Sequence, residues 1–495
     1  MSGTWSTFLL SLACATLCAC GHDASSGNDD RPRAASGARS LLVVTYDTTR
    51  MDFVGAYGNP LALTPNLDAL AERGVLFEDA YAPVPQTLPS HSSLMTGLMP
   101  RQHRALENTY RLDASYETLA EAAVERGYDT AAFVGALVLG EDTGINQGFH
   151  TYDTPAGEWN SDKKGHPPQR SAKQVTEAAL AWLRARDSER PVFMWVHYYD
   201  PHGDAQDKRP NAPRHIGFLP PQRHVDAIQR SDVRAFLESR GDELSGASLE
   251  PRLLRQFWHA YAAEIRFTDE QFGRLLEGFD EVGLLDSTVV AATSDHGEGL
   301  FEHDVKGHGV EVWQEQHQIP LVIAEPGGAL AGTRVSGPAF LSDMRGTLER
   351  LAFGSTSTQG GDELAVDLWG AAEAGRGIAP RPVFLERPHF DQGRAEWRGV
   401  PYGVLNAVIQ GDAKLIVGPE GRLELYDLAS DPAELRDLAA SDPELRGRLE
   451  QLFADWVAAN PSVEPGEGAA ELDCDQIADL VALGYMGEEA LSGCP

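Results

Sequence analysis

Short apolar, β-branched runs alternate with amphipathic stretches over the first two thirds of the chain. Leu41 to Tyr46 is an unbroken apolar run ending in Asp47, which predicts a buried parallel strand. Thr64-Pro65-Asn66 opens an amphipathic helix over Leu67 to Arg73, stopped by Gly74, and Val75 to Phe77 predicts a second strand. The same reading predicts helices at Ser92 to Thr96, Thr118 to Arg126, Val175 to Arg186 and Ile265 to Phe279. It predicts strands at Thr130 to Val134, Val192 to Tyr198 and Thr288 to Thr293, the last running into Ser294-Asp295-His296. This βαβα alternation predicts an α/β fold: a large, mostly parallel sheet sandwiched by helices. Ligands of such sheets sit beyond the carboxyl ends of the strands, and Asp47, Asp200 and Asp295 fall at that edge.

The pattern changes near residue 355. Residues 355 to 382 are rich in Gly, Ala and Ser and read as a connection. Tyr402 to Ile409, Lys414 to Val417 and Leu423 to Tyr426 read as antiparallel strands, and Pro443 to Trp456 as a charged amphipathic helix. The expected organisation is a signal segment over 1–20, a flexible linker over 21–39, the main α/β domain over 40–355, and a smaller α+β subdomain with a tail over 356–495. The apolar stretch from Trp5 to Ala19 has the length of a signal-peptide core, too short to span a bilayer as a helix. It ends in Leu17-Cys18-Ala19-Cys20-Gly21, which resembles a bacterial lipobox and makes Cys20 the expected lipidation site. The chain is therefore expected in the bacterial envelope, periplasmic or on the outer surface, touching membrane only through that anchor. Cys474 and Cys494 are the only cysteines beyond the first twenty residues. A disulfide between them suits an exported protein, and two unpaired thiols are the other reading.

The 495 residues carry a net charge of −33. That balance excludes nucleic acid and anionic lipid surfaces as general partners. An anionic ester can bind only where a cation or a local His/Arg cluster reverses the field. Two segments supply such chemistry. His296, His303 and His308 crowd the stretch after the Asp295 strand, interleaved with Gly297, Gly299, Gly307 and Gly309. Strand-end carboxylates with neutral imidazoles suit a divalent metal, although a strand-end Asp taken alone is more often a helix cap. In Thr87-Leu-Pro89-Ser-His91, Pro89 sits where a helix would begin. Thr87 then projects at a helix N-terminus that favours an anion, or is simply its cap.

These segments together resemble the sulfatases of the alkaline phosphatase superfamily. Leu41-Leu-Val-Val-Thr-Tyr-Asp47-Thr-Thr-Arg50 is similar to the family's opening strand, and Thr64 to Ala71 to its first helix. Thr87 to Gly97, followed by Met99-Pro-Arg-Gln-His103, resembles the sulfatase signature. Thr293-Ser-Asp295-His296-Gly-Glu298-Gly resembles the second metal motif, and Tyr426 to Glu434 the C-terminal tail motif. The resemblance implies a metal held by Asp47, Asp295, His296 and Thr87, with Zn, Mn or Ca as the candidate ions and room for a second. It implies catalytic roles for Thr87, His91, His103, His202 and His308, and substrate contacts from His202, Lys306 and His308.

The departures point to a branch. Sulfatases carry a Cys or Ser, converted to formylglycine, where this chain has Thr87; they carry Arg at His91 and usually a second Asp at Thr48. Threonine cannot become formylglycine. A threonine sulfate lacks the hemiacetal exit, whereas a phosphothreonine can be displaced in line between clamped oxygens. The resemblance thus implies the Thr-nucleophile phosphodiesterase and phosphotransferase relatives. The expected activity is cleavage or transfer of phosphate mono- or diesters on a small-molecule, glycan or lipid substrate. Sulfate ester hydrolysis without formylglycine and a catalytically inactive anion-binding lipoprotein are the alternatives. No oligomeric state follows from the sequence.

Overall fold

The computed structural model describes residues 32–155, 169–186, 189–203, 218–244, 247–354, 365–390, 403–461 and parts of 474–494. The signal segment, Cys20 and most of the linker lie outside the described residues.

The strands are β1 (Ser40–Tyr46), β2 (Val75–Tyr81), β3 (Asp129–Val134), β4 (Thr151–Asp153), β5 (Val192–Tyr198), β6 (Thr288–Ser294), the pair β7 (Gly299–Leu300) and β8 (Lys306–Gly307), β9 (Gln318–Ile319), β10 (Leu321–Ala324) and β11 (Thr333–Phe340). Nine of them form one sheet in the order β11-β2-β10-β6-β1-β5-β3-β4, with β9 beside β2. β1 is central and parallel to both β5 and β6. β10 runs antiparallel to β6 and β2, so the sheet is mixed but mostly parallel.

The helices that position the site are α1 (Pro65–Arg73), α2 (Thr87–Thr96), α3 (Pro100–His103), α4 (Leu119–Glu125), α5 (Ala172–Ala185), α6 (Gln222–Ala227), α7 (Arg230–Ser239), α8 (Pro251–Glu281), α9 (Gln314–His317), α10 (Leu341–Phe353) and α11 (Leu368–Glu373). Alternation along β1 and β5 sends Leu42, Val44, Met194 and Val196 to one face, where α1, α5 and the second half of α8 cover them. Leu41, Val43, Phe193 and Trp195 face α2, α4 and α10. Helices on both faces explain why these strands are apolar throughout.

Three expectations change. α2 begins at Thr87, with Gln86 as its N-cap, so Pro89 is the third helical residue. Its missing N–H still falls in the first turn, where an intrahelical partner is lacking anyway. α8 begins at Pro251, capped by the Glu250 carboxylate, because its first half buries Phe257, Trp258 and Tyr261 against Phe53 rather than against the sheet. The connection near 355 to 382 contains α11, capped by Asp367 and held by the buried Leu368 and Trp369.

The C-terminal part is an antiparallel sheet, β12 (Val383–Phe390), β13 (Gly403–Gln410), β14 (Ala413–Val417) and β15 (Leu423–Asp427), backed by α12 (Pro443–Ala459). Its other face packs Leu385, Leu405, Ile416 and Tyr426 on Tyr81, Trp313 and Phe340 of the main body. Cys474 and Cys494 are joined in a disulfide. Among the described residues no helix is long and apolar enough to cross a membrane.

Candidate active site

Because β5, β1 and β6 are neighbours in register, their carboxyl ends bring Asp47, His197 and Asp295-His296 together in space. The Asp47 amide donates to the Tyr198 carbonyl (2.8 Å), tying the end of β1 to that of β5. Thr48 then turns sharply, with φ of +52°. A β-branched residue in that region costs on the order of 1–3 kcal/mol and persists only where its surroundings hold it. Here the Thr48 amide donates to Asp295 Oδ1 (3.1 Å), and its carbonyl accepts from the Tyr261 hydroxyl (2.7 Å). The strain is spent on holding one strand tip against the other.

The atoms left without partners mark the centre of the site. Both carboxylate oxygens of Asp47, Asp295 Oδ2, His296 Nε2, Thr87 Oγ1 and both ring nitrogens of His197 are buried and make no hydrogen bond. Buried polar groups are nearly always satisfied, and buried charges are paired or bind metals. Burial, followed by the neighbouring Asp295 and Glu298 carboxylates, pushes Asp47 well above the usual carboxylate range. Burial also raises Asp295 to about 6, against the pull of His91 and of the Thr48 and His296 amides. Two adjacent carboxylates held this way without a cation are costly. Burial lowers His296 to about 4. Its Nδ1 donates to the Gly297 carbonyl (2.9 Å), which leaves the Nε2 lone pair facing Asp295 Oδ2 at 3.5 Å and Asp47 Oδ1 at 3.9 Å. This neutral imidazole, oriented through its other nitrogen, with two carboxylates beside it, fits a divalent cation.

Thr87 is the first residue of α2. The anion-favouring helix end expected there is partly used: the Leu88 amide already donates to Asn108 Oδ1 (2.8 Å), and Pro89 has none. His91, one turn on, donates through Nδ1 to the Thr87 carbonyl (2.8 Å) and accepts at Nε2 from Thr45 Oγ1 (3.0 Å). Its Nδ1 lies 3.8 Å from Asp295 Oδ2, so one imidazole spans the distance from the Thr87 backbone to the carboxylate cluster. His91 also stacks on His197, with ring centres 4.9 Å apart. With both nitrogens engaged, His91 orients α2 over the strand tips.

His103, at the end of α3, accepts the Ala105 amide at Nδ1 and meets Ser93 Oγ through Nε2 (3.0 Å). It meets α2 at the Pro89 backbone and at Ser93, and so supports the helix that carries Thr87. His202 and His308 approach from the other side. Their ring centres are 4.8 Å apart, and His308 lies 4.4 Å from the His296 ring. His308 Nδ1 is 3.3 Å from the Glu298 carboxylate, which burial pushes up to about 7. His202 Nδ1 meets the Tyr199 hydroxyl at 2.8 Å. Lys306 is exposed at the rim, with its ammonium 5.4 Å from the Phe257 ring. The arrangement is a cation cradle with a hydroxyl on one side and an imidazole pair on the other, of which His202 is pushed down to about 3 by burial.

A profile of the sulfatase family matches residues 39–355. The chain belongs to the sulfatase family. It is therefore a metal-dependent hydrolase of the alkaline phosphatase superfamily. An arylsulfatase of Clostridium perfringens is 24% identical over 83% of this chain and 92% of its own length. The multifunctional alkaline phosphatase superfamily protein PehA of Trinickia caryophylli is 28% identical over 58% of this chain and 68% of its own. The crystal structure of the phosphonate monoester hydrolase of Agrobacterium radiobacter superposes with a TM-score of 0.65 at 23% identity, over 85% of this chain and 96% of that one. The last likeness is one of fold.

The sulfatase-family site contains two residues that the sequence reading left without a role. His197 Nε2 is 3.4 Å from Asp47 Oδ2, and Glu298 sits beneath His308. A signal existed for His197: it continues the buried stripe Phe193, Trp195, where an apolar residue is the default. His303 and His317, by contrast, are structural. His303 stacks on Trp313 at 4.0 Å and binds Glu315 (3.1 Å) and the Ala433 carbonyl (3.0 Å), and His317 donates to the Ala82 carbonyl.

The C-terminal motif has its explanation here. Glu434 pairs with the buried Lys414 (2.6 Å) and accepts the Gln314 amide (2.8 Å), while Lys414 donates to the Val312 carbonyl. The segment at 312–316 in turn accepts the Gly297 and Glu298 amides at 2.9 Å. A Cβ at Gly297 would lie 2.0 Å from the Glu315 carbonyl oxygen, so only glycine permits this approach. The tail thereby braces the loop that carries His296.

Proposed function

We propose that this sulfatase-family chain hydrolyses phosphate mono- or diesters, or transfers the phosphoryl group, with Thr87 as nucleophile. The observation that carries the reading is the Thr87 hydroxyl: buried, unpaired, and one imidazole away from the unpaired atoms of Asp47, Asp295 and His296. Asp47, Asp295, His296 and Thr87 would hold the ion, with His197 next to them. The imidazole nitrogen favours Zn²⁺ or Mn²⁺ over Ca²⁺. A divalent ion bound there supplies Lewis acidity and neutralises charge developing on the transferred group.

The protein's own groups supply the rest. Thr87 Oγ1 attacks phosphorus as the bond to the leaving alcohol breaks. The hydroxyl proton ends on that alcohol, relayed by His202 and His308. In hydrolysis, water then attacks the phosphothreonine and restores the hydroxyl, releasing phosphate from a monoester substrate or a phosphate monoester from a diester; in transfer, an acceptor alcohol takes the place of water. His91 keeps Thr87 in line through its carbonyl, and Lys306 at the rim meets the incoming anion. Sulfate fits this sequence less well, because a threonine sulfate has no elimination route.

A panel of nitrophenyl phosphate, phosphodiester, phosphonate monoester and sulfate, each with Zn²⁺, Mn²⁺ and Ca²⁺, tests the reading. The expected order puts a phosphorus ester first by at least about tenfold, the ~1.4 kcal/mol that a distinct preference requires. A sulfate ester turned over faster than every phosphorus ester reverses the assignment.

The same reading places the enzyme outside the cytoplasm, tethered through Cys20, in keeping with the Cys474–Cys494 disulfide. Expressed with its leader, Cys20→Ser should move activity from the membrane fraction to the soluble fraction. An unchanged distribution removes the anchor.

A further inference from the structure

His308 stands between two glycines in the left-handed region, Gly307 (φ +92°) and Gly309 (φ +75°). Glycine is the residue with the greatest backbone freedom, so the imidazole is joined to the fold through a hinge on each side. Ahead of it the hold is the short pair β7–β8, in which Gly299 faces Gly307 and Leu300 faces Lys306. Behind it the hold is the segment 310–312, which is buried and lies in neither helix nor strand. What fixes that segment fixes the ring.

Cations of the C-terminal subdomain take hold of its three residues in turn. Arg387 on β12 donates to the Val310 carbonyl (3.3 Å), Arg422 ahead of β15 to the Glu311 carboxylate (3.0 Å), and Lys414 on β14 to the Val312 carbonyl (2.7 Å). Arg387 and Lys414 are fully buried. Burial pushes Glu311 up, against the pull of Arg422 and Arg387, so this carboxylate faces both guanidinium groups. Burying a cation is costly, and a carbonyl in irregular backbone is also satisfied by an amide or a water. Cations from separate strands on consecutive residues go beyond that need: they fix where the segment lies.

The same strand reaches the nucleophile's side. The Glu386 amide donates to the Pro83 carbonyl (2.9 Å), and the Glu386 carboxylate accepts from Arg101 of α3 (2.7 Å). Pro83 leads directly into α2, and a Cβ at Gly309 would meet the side chain of Gln86, the N-cap of α2, at 3.4 Å. Adjacent residues of β12 thus touch the segment that leads to Thr87 and the segment that follows His308. We propose that Arg387 and Arg422 are positioning residues that set His308 relative to Thr87. The C-terminal subdomain would then govern proton delivery to the leaving alcohol, although the cradle residues all come from the main body. The proposal rests on the reading that His202 and His308 relay the Thr87 proton to that alcohol. Misplacement of such a group by about 1 Å costs on the order of a hundredfold in rate.

The test uses the full chain and esters of whichever phosphorus class the parent turns over best, with nitrophenol, phenol and methanol as leaving groups. Nitrophenolate departs readily without a proton, whereas methoxide does not. Arg387→Met should lose at least about tenfold in kcat on the phenyl and methyl esters and much less on the nitrophenyl ester, with metal content equal to that of the parent. Arg387→Lys keeps the charge and should recover part of the loss. Arg422→Gln, at a side chain 18% exposed, should show the same leaving-group pattern, and it carries the comparison if Arg387→Met does not fold. In a His308→Ala background each substitution should add no more than about twofold, because both act through that ring. An equal loss on all three esters, or the full loss repeated in the His308→Ala background, overturns the proposal and leaves the relay standing. A His308→Ala variant whose loss does not depend on the leaving group removes the relay, and the proposal with it.

Discussion

Thr87→Ala should abolish turnover of the best phosphorus ester, by roughly 10³- to 10⁶-fold in kcat, the range seen when a covalent nucleophile is removed. Metal content, read by elemental analysis, should stay close to that of the parent, because Asp47, Asp295 and His296 remain. Thr87→Ser keeps the hydroxyl and should retain activity within about tenfold. The size of the effect follows from the site's geometry. Thr87 Oγ1 is fully buried and has no hydrogen-bond partner. Its backbone is fixed by His91, which is itself held between Thr45 and the His197 ring. Of the other α2 hydroxyls, Ser90 Oγ donates to the Val84 carbonyl and Ser93 Oγ is engaged with His103, while Ser92 Oγ and, at the tip of β1, Thr48 Oγ1 share with Thr87 the lack of a hydrogen-bond partner. Near-parent activity in Thr87→Ala would show that water attacks directly and that the hydroxyl serves only as a ligand.

Asp295→Ala should lose the metal and activity together. Asp295 Oδ1 is committed to the Thr48 and His296 amides, and Oδ2 is the oxygen that faces His296 Nε2 and His91. Removing the side chain deletes a ligand and also frees the two amides that shape the Thr48 turn. Metal binding to the folded state alone stabilises it by about 2.7 kcal/mol at a hundred times its dissociation constant. A chelator should therefore lower the thermal midpoint of the parent by several degrees, and leave that of Asp295→Ala unmoved. A metal stoichiometry equal to that of the parent, with the chelator shift intact, would take Asp295 out of the coordination sphere. His197 offers an internal comparison: its Nε2 lies 3.4 Å from Asp47 Oδ2, and with His91 it also comes within 4.8 Å of Asp295, so His197→Ala should weaken metal binding less than Asp295→Ala.

The sequence by itself determined the alternation of β1, β2, β3, β5 and β6 with α1, α4 and α5, the acidic strand tips and the residue types of the site. Period-two and period-3.6 burial leave their mark in any stretch packed on one or two faces, so β1, β5, β6 and α1 are legible locally. Thr87 in place of a modifiable cysteine is likewise legible in the sequence, and the proposal of a phosphorus ester rests on it. Less visible was the first half of α8, which packs on the Phe53 and Phe236 cluster instead of the sheet. Only the tertiary structure decided that His197 stands against Asp47, that Glu298 underlies His308, and that Lys414 and Glu434 brace the His296 loop from more than a hundred residues away. Those pairings depend on which strands become neighbours and in what register, quantities that no local pattern encodes. The separation has a physical origin: solvent burial acts residue by residue along the chain, whereas ligand geometry exists only between segments that folding has brought together.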